Sequence, residues 1–143
     1  MTSAATDLCT ATCRSITVGF PIGTVQEVLR NGAVRPVPLA APGLAGLINV
    51  RGRIIPVVDL ASRLGLAETG GPAPTTHVVV DSQDGPVSFL VDRIEDVVEV
   101  DPSSWEVVEG ASAESFDGVH KLPGRLVFVL RVDRLAAPTS RVA

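Results

Sequence analysis

Short aliphatic runs, broken at close and regular intervals, are what most restrict the folds open to this chain. Ile16, Val18, Phe20 and Ile22 alternate with Thr17, Gly19 and Pro21. Period two over such a stretch marks a half-buried strand. Comparable runs follow at 25–29, 54–60, 77–80, 87–91, 94–100, 119–122 and 126–132, with a weaker one at 8–14. Between them stand Asn31-Gly32, Arg51-Gly52-Arg53, Asp84-Gly85, Asp101-Pro102 and Pro123-Gly124, and glycine and proline are the strongest punctuation a chain has. The pattern predicts roughly eight to ten short strands with a turn about every 8–12 residues, an all-β sandwich or barrel. With four Phe, one Trp and no Tyr, the core must be aliphatic, and β-branched Val and Ile suit a pleated surface. A chain of 143 residues is long enough for one domain or two small lobes.

Local signals add detail. Pro21 cannot donate a ladder hydrogen bond, so it is expected at an edge or a bulge. Residues 42–50, opening on Pro42, are read as a short helix weakened by Gly43 and Gly46. Asp59 is expected to cap a helix over 60–64 that Gly65 stops. Residues 67–76, with Gly70-Gly71-Pro72 and Pro74, are the one linker-like interior stretch and are taken as the boundary between two lobes. A hairpin closes the chain at 119–132, and a short helix follows at 133–137.

Several function classes are excluded or weakened. The net charge of −4 lacks the basic footprint a phosphate backbone requires, so nucleic acid is not an expected partner. The segment 34–50 is the best candidate membrane span but carries Arg35, Pro36, Pro38 and Pro42, so membrane insertion is not expected. The first residues hold no basic cluster followed by an apolar run, and a cytoplasmic location is expected. Cys9 and Cys13, if on one strand, would lie about 13 Å apart, too far for a disulfide. With His77 and His120 they match no compact zinc spacing. No Gly-x-Ser-x-Gly elbow, phosphate loop or dinucleotide fingerprint is present. Asp59, Asp81, Asp92 and Asp133 each end an apolar run and read as caps or solvated strand ends. The enzyme alternative rests only on His77 or His120 as a base.

The run GLINVRGRIIPVVDLASRLGL (46–66) is different. It places a turn with two arginines before a buried strand. Arg51 cannot enter an apolar core unpaired, so it is either a solvated turn residue or a contact residue, a role in which Arg is enriched.

This run resembles the G-v-i-N-l-R-G-x-i-i-P-v-v-d-L pattern of the CheW-like family, the coupling proteins of bacterial chemosensory arrays. VQEV (25–28), FLVDRIEDVVEV (89–100) and GVHKLPGRLVFVLRVDRL (118–135) resemble further blocks of that family, in the same order, over almost the whole chain. The resemblance implies a single CheW-like domain at 8–137, built as two small five-stranded SH3-like β-barrels. The first lobe would span about 15–68 and the second about 75–137, completed by a strand at 8–14, with flexible tails at 1–7 and 138–143. It implies no catalysis and no cofactor or metal. It implies an adaptor between the methyl-accepting chemoreceptor signalling tip and the regulatory domain of a CheA-type histidine kinase, in the cytoplasm at inner-membrane arrays. Carried over by position, the receptor groove would involve Val25, Glu27, Val28, Gly46, Asn49, Arg51 and Gly52, with Val97 on the facing wall. Arg51 would bind carboxylates or helix-end carbonyls of the partner, or pair with Glu27 to hold the turn; the sequence leaves both open. The first run, Cys9-Thr10-Ala11-Thr12-Cys13, is more weakly patterned than in the family, and Arg131 interrupts the last one. The alternative is therefore a divergent accessory-pathway member that has lost the kinase contact.

Overall fold

In a computed structural model describing residues 7–38, 43–68 and 70–136, the apolar runs form eleven strands and two short helices. The strands are β1 (Leu8–Cys13), β2 (Ile16–Pro21), β3 (Val25–Arg30), β4 (Leu44–Val50), β5 (Arg53–Asp59), β6 (Thr76–Ser82), β7 (Gly85–Val91), β8 (Arg93–Val98), β9 (Trp105–Glu106), β10 (Phe116–Leu122) and β11 (Arg125–Leu130). The helices are α1 (Leu60–Leu64) and α2 (Val132–Ala136). One sheet has the order β8-β1-β2-β11-β10-β9, the other β3-β6-β7-β5-β4. Each contains one parallel pair, β2 with β11 and β5 with β7. The expected five strands per barrel hold for the second sheet; the first gains the two-residue β9.

The division of the chain between barrels differs from the expected one. β6 and β7 follow the 67–76 segment yet hydrogen-bond with β3 and β5, and β2 joins the sheet of β8 to β11. One barrel is therefore continuous, from β3 through β7, and the other is assembled from the two flanks of the chain. The Gly-Pro-rich stretch marks irregular backbone between α1 and β6 of one sheet, not a lobe boundary. The true return to the other sheet occurs at Asp92, where the peptide N–H donates to Thr12 O at 2.9 Å. No glycine or proline is needed there. Of the expected tails at 1–7 and 138–143, all but Asp7 lie outside the described residues.

Two other expectations change. Residues 44–50 are strand, not helix: Gly46, Ile48 and Val50 point inward at period two, and this alternation outweighs the proline start signal. Pro21 ends an interior strand opposite Leu8 rather than lying on an edge. The ladder resumes beyond it, with Ile22 N–H donating to Asp7 O at 3.0 Å. Asp59 caps α1 through Ser62 N–H, and Gly65 closes it at φ +74°.

Burial is organised in three layers. Ile48, Val50, Ile55, Val57, Val79 and Leu90 fill the barrel of β3 to β7. Leu8, Val100, Val127 and Val129 fill the other. The largest layer lies between the sheets and draws on both, including Cys9, Ala11, Val18 and Phe20 from one side and Val58, Val78, Val80 and Phe89 from the other. Phe20 and Phe89 meet there with ring centroids 5.9 Å apart. Truncating Phe89 to Ala should cost about 3–5 kcal/mol of unfolding free energy in a urea titration, whereas Val107→Ala, at a largely exposed site, should cost under about 0.5 kcal/mol.

Cys9 and Cys13 are free and buried in the shared layer. Burial pushes both thiols up, aided by nearby carboxylates, and that of Cys13 reaches about 12. The unfolded chain releases the proton near pH 9 while the folded chain retains it, so this stabilisation is complete below pH 9 and is lost as pH rises toward 12. With no Tyr in the chain to titrate alongside, unfolding free energy should fall between about pH 9 and about pH 12, and the slope should be shallower in Cys13→Ala.

Candidate functional site

The β4–β5 hairpin is a two-residue turn closed by the pair Val50 and Arg53. Arg51 sits at φ +53° and Gly52 at φ +84°, positive at both central positions, as a type I′ turn requires. Glycine adopts this backbone freely. Arginine does not, and an L-residue there is strained by about 1–2 kcal/mol. The Asn49 carboxamide oxygen accepts the Gly52 N–H at 2.9 Å and fixes the turn. Arg51 reaches back to Glu27 on β3, Nη2 to Oε2 at 3.2 Å; the Arg51 side chain is 80% exposed and that of Glu27 21%. Of the two roles the sequence left open for Arg51, the ion pair with Glu27 is formed. An exposed pair of this kind contributes at most about 1 kcal/mol, so it orients the guanidinium more than it stabilises the fold.

The β3 strand presents two faces. Glu27 pairs with Val79 and Leu29 with His77, toward the interior of the barrel. Val25 pairs with Val80 and Val28 with Val78, toward the shared layer between sheets. Val28 remains 37% exposed. On the other sheet Val97 stands opposite Cys9, also on the side of the shared layer, and is 57% exposed. β3 and β8 are the terminal strands of their sheets. Val28 and Val97 thus extend the same apolar layer to the surface from two different barrels. The structure groups Glu27, Asn49, Arg51 and Gly52 at the hairpin, and Val25 and Val28 on the opposite face of β3. Ile54, paired with Asn49 on the outer hairpin face and 61% exposed, adds an apolar group that the motif did not single out.

Gly46 has a different part. A Cβ there would lie 2.2 Å from Arg35 O, and its φ is +151°. Arg35 and Leu47 exchange backbone hydrogen bonds at 2.8 and 2.9 Å across this contact. Gly46 lets the 34–35 segment lie against β4.

Two further residues at the hairpin were not among the expected groove residues. Arg53 Nη2 donates to Gln26 Oε1 at 3.1 Å, and Gln26 Nε2 donates to Asp81. The ladder between β3 and β6 shifts by one residue between Val25 and Glu27, which leaves Gln26 without a partner. At that bulge, consecutive residues of β3 hold Arg53 and Arg51 on either side of Gly52. Nothing in the sequence VQEV announces it.

The histidines are engaged internally. His77 and Ser88 are wholly buried and hydrogen-bonded, Nδ1 to Oγ at 2.8 Å. His120 Nδ1 and Ser104 Oγ share a hydrogen bond at 2.8 Å, and the imidazole meets the Trp105 ring in a tilted contact with centroids 4.7 Å apart. Burial pushes both imidazoles below their ordinary range, so they are neutral near pH 7. The His77–Ser88 pair has the atoms of a base and a nucleophile, and both residues are fully buried. No helix among the described residues is long and apolar enough to cross a membrane.

Comparison with known proteins gives a consistent relation. A family model for the CheW-like domain matches residues 7–139. The chemotaxis protein CheW of Thermotoga maritima is 31% identical over 120 residues, 82% of this chain and 79% of that protein. The chemotaxis protein CheW of Treponema pallidum is 30% identical over 125 residues, 82% and 74% of the two chains. In fold, the chain is similar to the crystal structure of the scaffolding protein TtCheW from Thermoanaerobacter tengcongensis, with a TM-score of 0.83 at 23% identity over 92% of each chain.

The Gly46 geometry yields a direct expectation. Gly46→Ala should destabilise the fold by more than about 3 kcal/mol in chemical denaturation, since it combines backbone strain with loss of the two Arg35–Leu47 hydrogen bonds. Arg35→Ala, which keeps those backbone bonds, should change stability by less than about 0.5 kcal/mol.

Proposed function

Because this chain belongs to the CheW-like family, we propose that it is a non-catalytic adaptor coupling the signalling tip of methyl-accepting chemoreceptors to the regulatory domain of a CheA-type histidine kinase. It would act in the cytoplasm, at receptor arrays on the inner membrane. The observation that carries the reading is the β4–β5 hairpin. A mostly exposed arginine occupies a backbone conformation that arginine disfavours, and Glu27 and Asn49 fix its direction. Strain kept at an exposed polar residue points to function rather than stability.

On the face of β3 turned toward the other sheet, Val25 and Val28 offer apolar surface to a partner, and Val97 on β8 offers more. A groove with such anchors and a polar tip suits an amphipathic helix, whose apolar stripe meets the valines while its flanking carboxylates or end carbonyls meet the guanidinium. Glu27, Asn49, Arg51 and Gly52 are assigned to the receptor contact on this basis. Gly46 supports it from beneath.

The variant reading, in which the kinase contact is lost, rested on the weak pattern of the first strand. That strand is paired along its whole length with β2 and on its other side with β8, and Thr10 bonds Asp96 across the second pairing. The first strand, weakly patterned in sequence, is therefore an interior strand of its sheet.

Calorimetric titration of the purified chain against a receptor signalling fragment and a kinase regulatory domain should show binding to both. Arg51→Asp should weaken receptor binding by at least about tenfold while unfolding free energy changes by less than about 1 kcal/mol. Retained receptor affinity in that variant removes Arg51 from the contact surface. Failure of the unaltered chain to bind either protein overturns the adaptor reading.

A further inference from the structure

The hairpin carries two guanidiniums, and their electrostatic states differ. Arg51 is paired with a carboxylate. Arg53, exposed beside it, donates to the neutral amide of Gln26 and has no carboxylate within ion-pair distance among the described residues. The nearest negative group in the same chain of contacts is Asp81, which sits behind the whole Gln26 amide and accepts from its Nε2. Gln26 therefore uses both ends of its side chain. Its donor is anchored on Asp81, and its acceptor steers Arg53. The bulge at Gln26 is what turns this side chain toward the hairpin, and bulges commonly re-aim side chains at functional surfaces.

An arginine oriented by a neutral partner keeps its full charge and its remaining N–H donors for an incoming acceptor. A carboxylate partner would have offset that charge. We propose that Arg53, aimed by Gln26, is a second arginine contact beside Arg51 and reads a carboxylate on the helical receptor tip. This deepens the adaptor reading and rests on the hairpin being its receptor-facing element. Arg51, tied to Glu27, supplies a fixed but half-compensated charge. Arg53 supplies the uncompensated one, so it sets the partner's required charge and the salt dependence of the contact. Gln26 acts through Arg53 and is a positioning residue.

The test measures affinity for a receptor signalling fragment across a salt series, in the full chain and three variants. Arg53→Gln should weaken binding about five- to tenfold at low salt and flatten the salt dependence, because one charge pair is gone. Gln26→Leu should weaken binding a few-fold while preserving the salt slope, because the charge remains and only its direction is lost. Arg53→Lys should restore the slope of Arg53→Gln without full affinity, since an ammonium lacks the guanidinium fork. Thermal unfolding of the three should match that of the unaltered chain. If Arg51→Asp weakens binding while Arg53→Gln leaves both affinity and salt slope unchanged, the role of Arg53 is overturned and the adaptor reading stands. If neither variant affects receptor binding, the hairpin is not the receptor-facing element, and both readings of it fail together.

Discussion

Phe20 and Phe89 come from different sheets and meet in an apolar layer that neither barrel can bury alone. The rest of the molecule depends on that shared layer. Each barrel has its own interior of only a few aliphatic side chains, too few to hold a small sheet closed by themselves. The layer between them draws in both helices and strands from both sheets. It ties the continuous barrel to the barrel assembled from the two flanks. Because the flanking segments leave β2 and return at Asp92, losing either flank exposes a face of the other barrel.

This layer also makes the surface that matters. An apolar sheet face ends at its terminal strand, and side chains there are covered on one side only. Val28 on β3 and Val97 on β8 are in this position. They are exposed because they lie at the margin of a core.

At the hairpin, backbone preference and side-chain role conflict. A type I′ turn is best served by Asn-Gly or Asp-Gly, yet Arg51-Gly52 stands here. The conflict is resolved locally: Asn49 accepts the Gly52 N–H, and Glu27 takes one edge of the guanidinium. On the opposing strand a bulge supplies two successive polar side chains, Gln26 and Glu27, toward the same tip. Ordinary alternation would have sent one of them into the core. β3 and the hairpin stand at opposite ends of the sheet order, and the contacts named here between them are made by side chains.

Much of this was legible in the residues. Alternation at 16–22, turn signals at Arg51-Gly52, Asp84-Gly85 and Pro123-Gly124, and the Asp59 cap each depend on contacts within a few residues of sequence. Such local physics fixed the all-β class, most strands and the hairpin that carries Arg51. Residues 44–50 misled because a proline signals a helix start from one position, whereas the decisive inward alternation of Gly46, Ile48 and Val50 depends on a barrel interior formed by distant strands. The same holds for the partition of β2, β6 and β7 between sheets, the close approach of Arg35 that makes Gly46 obligatory, and the register shift that frees Gln26. These are pairings between segments far apart in the chain. Periodicity states which face of a strand is buried but not which partner buries it, so only the tertiary structure could decide them.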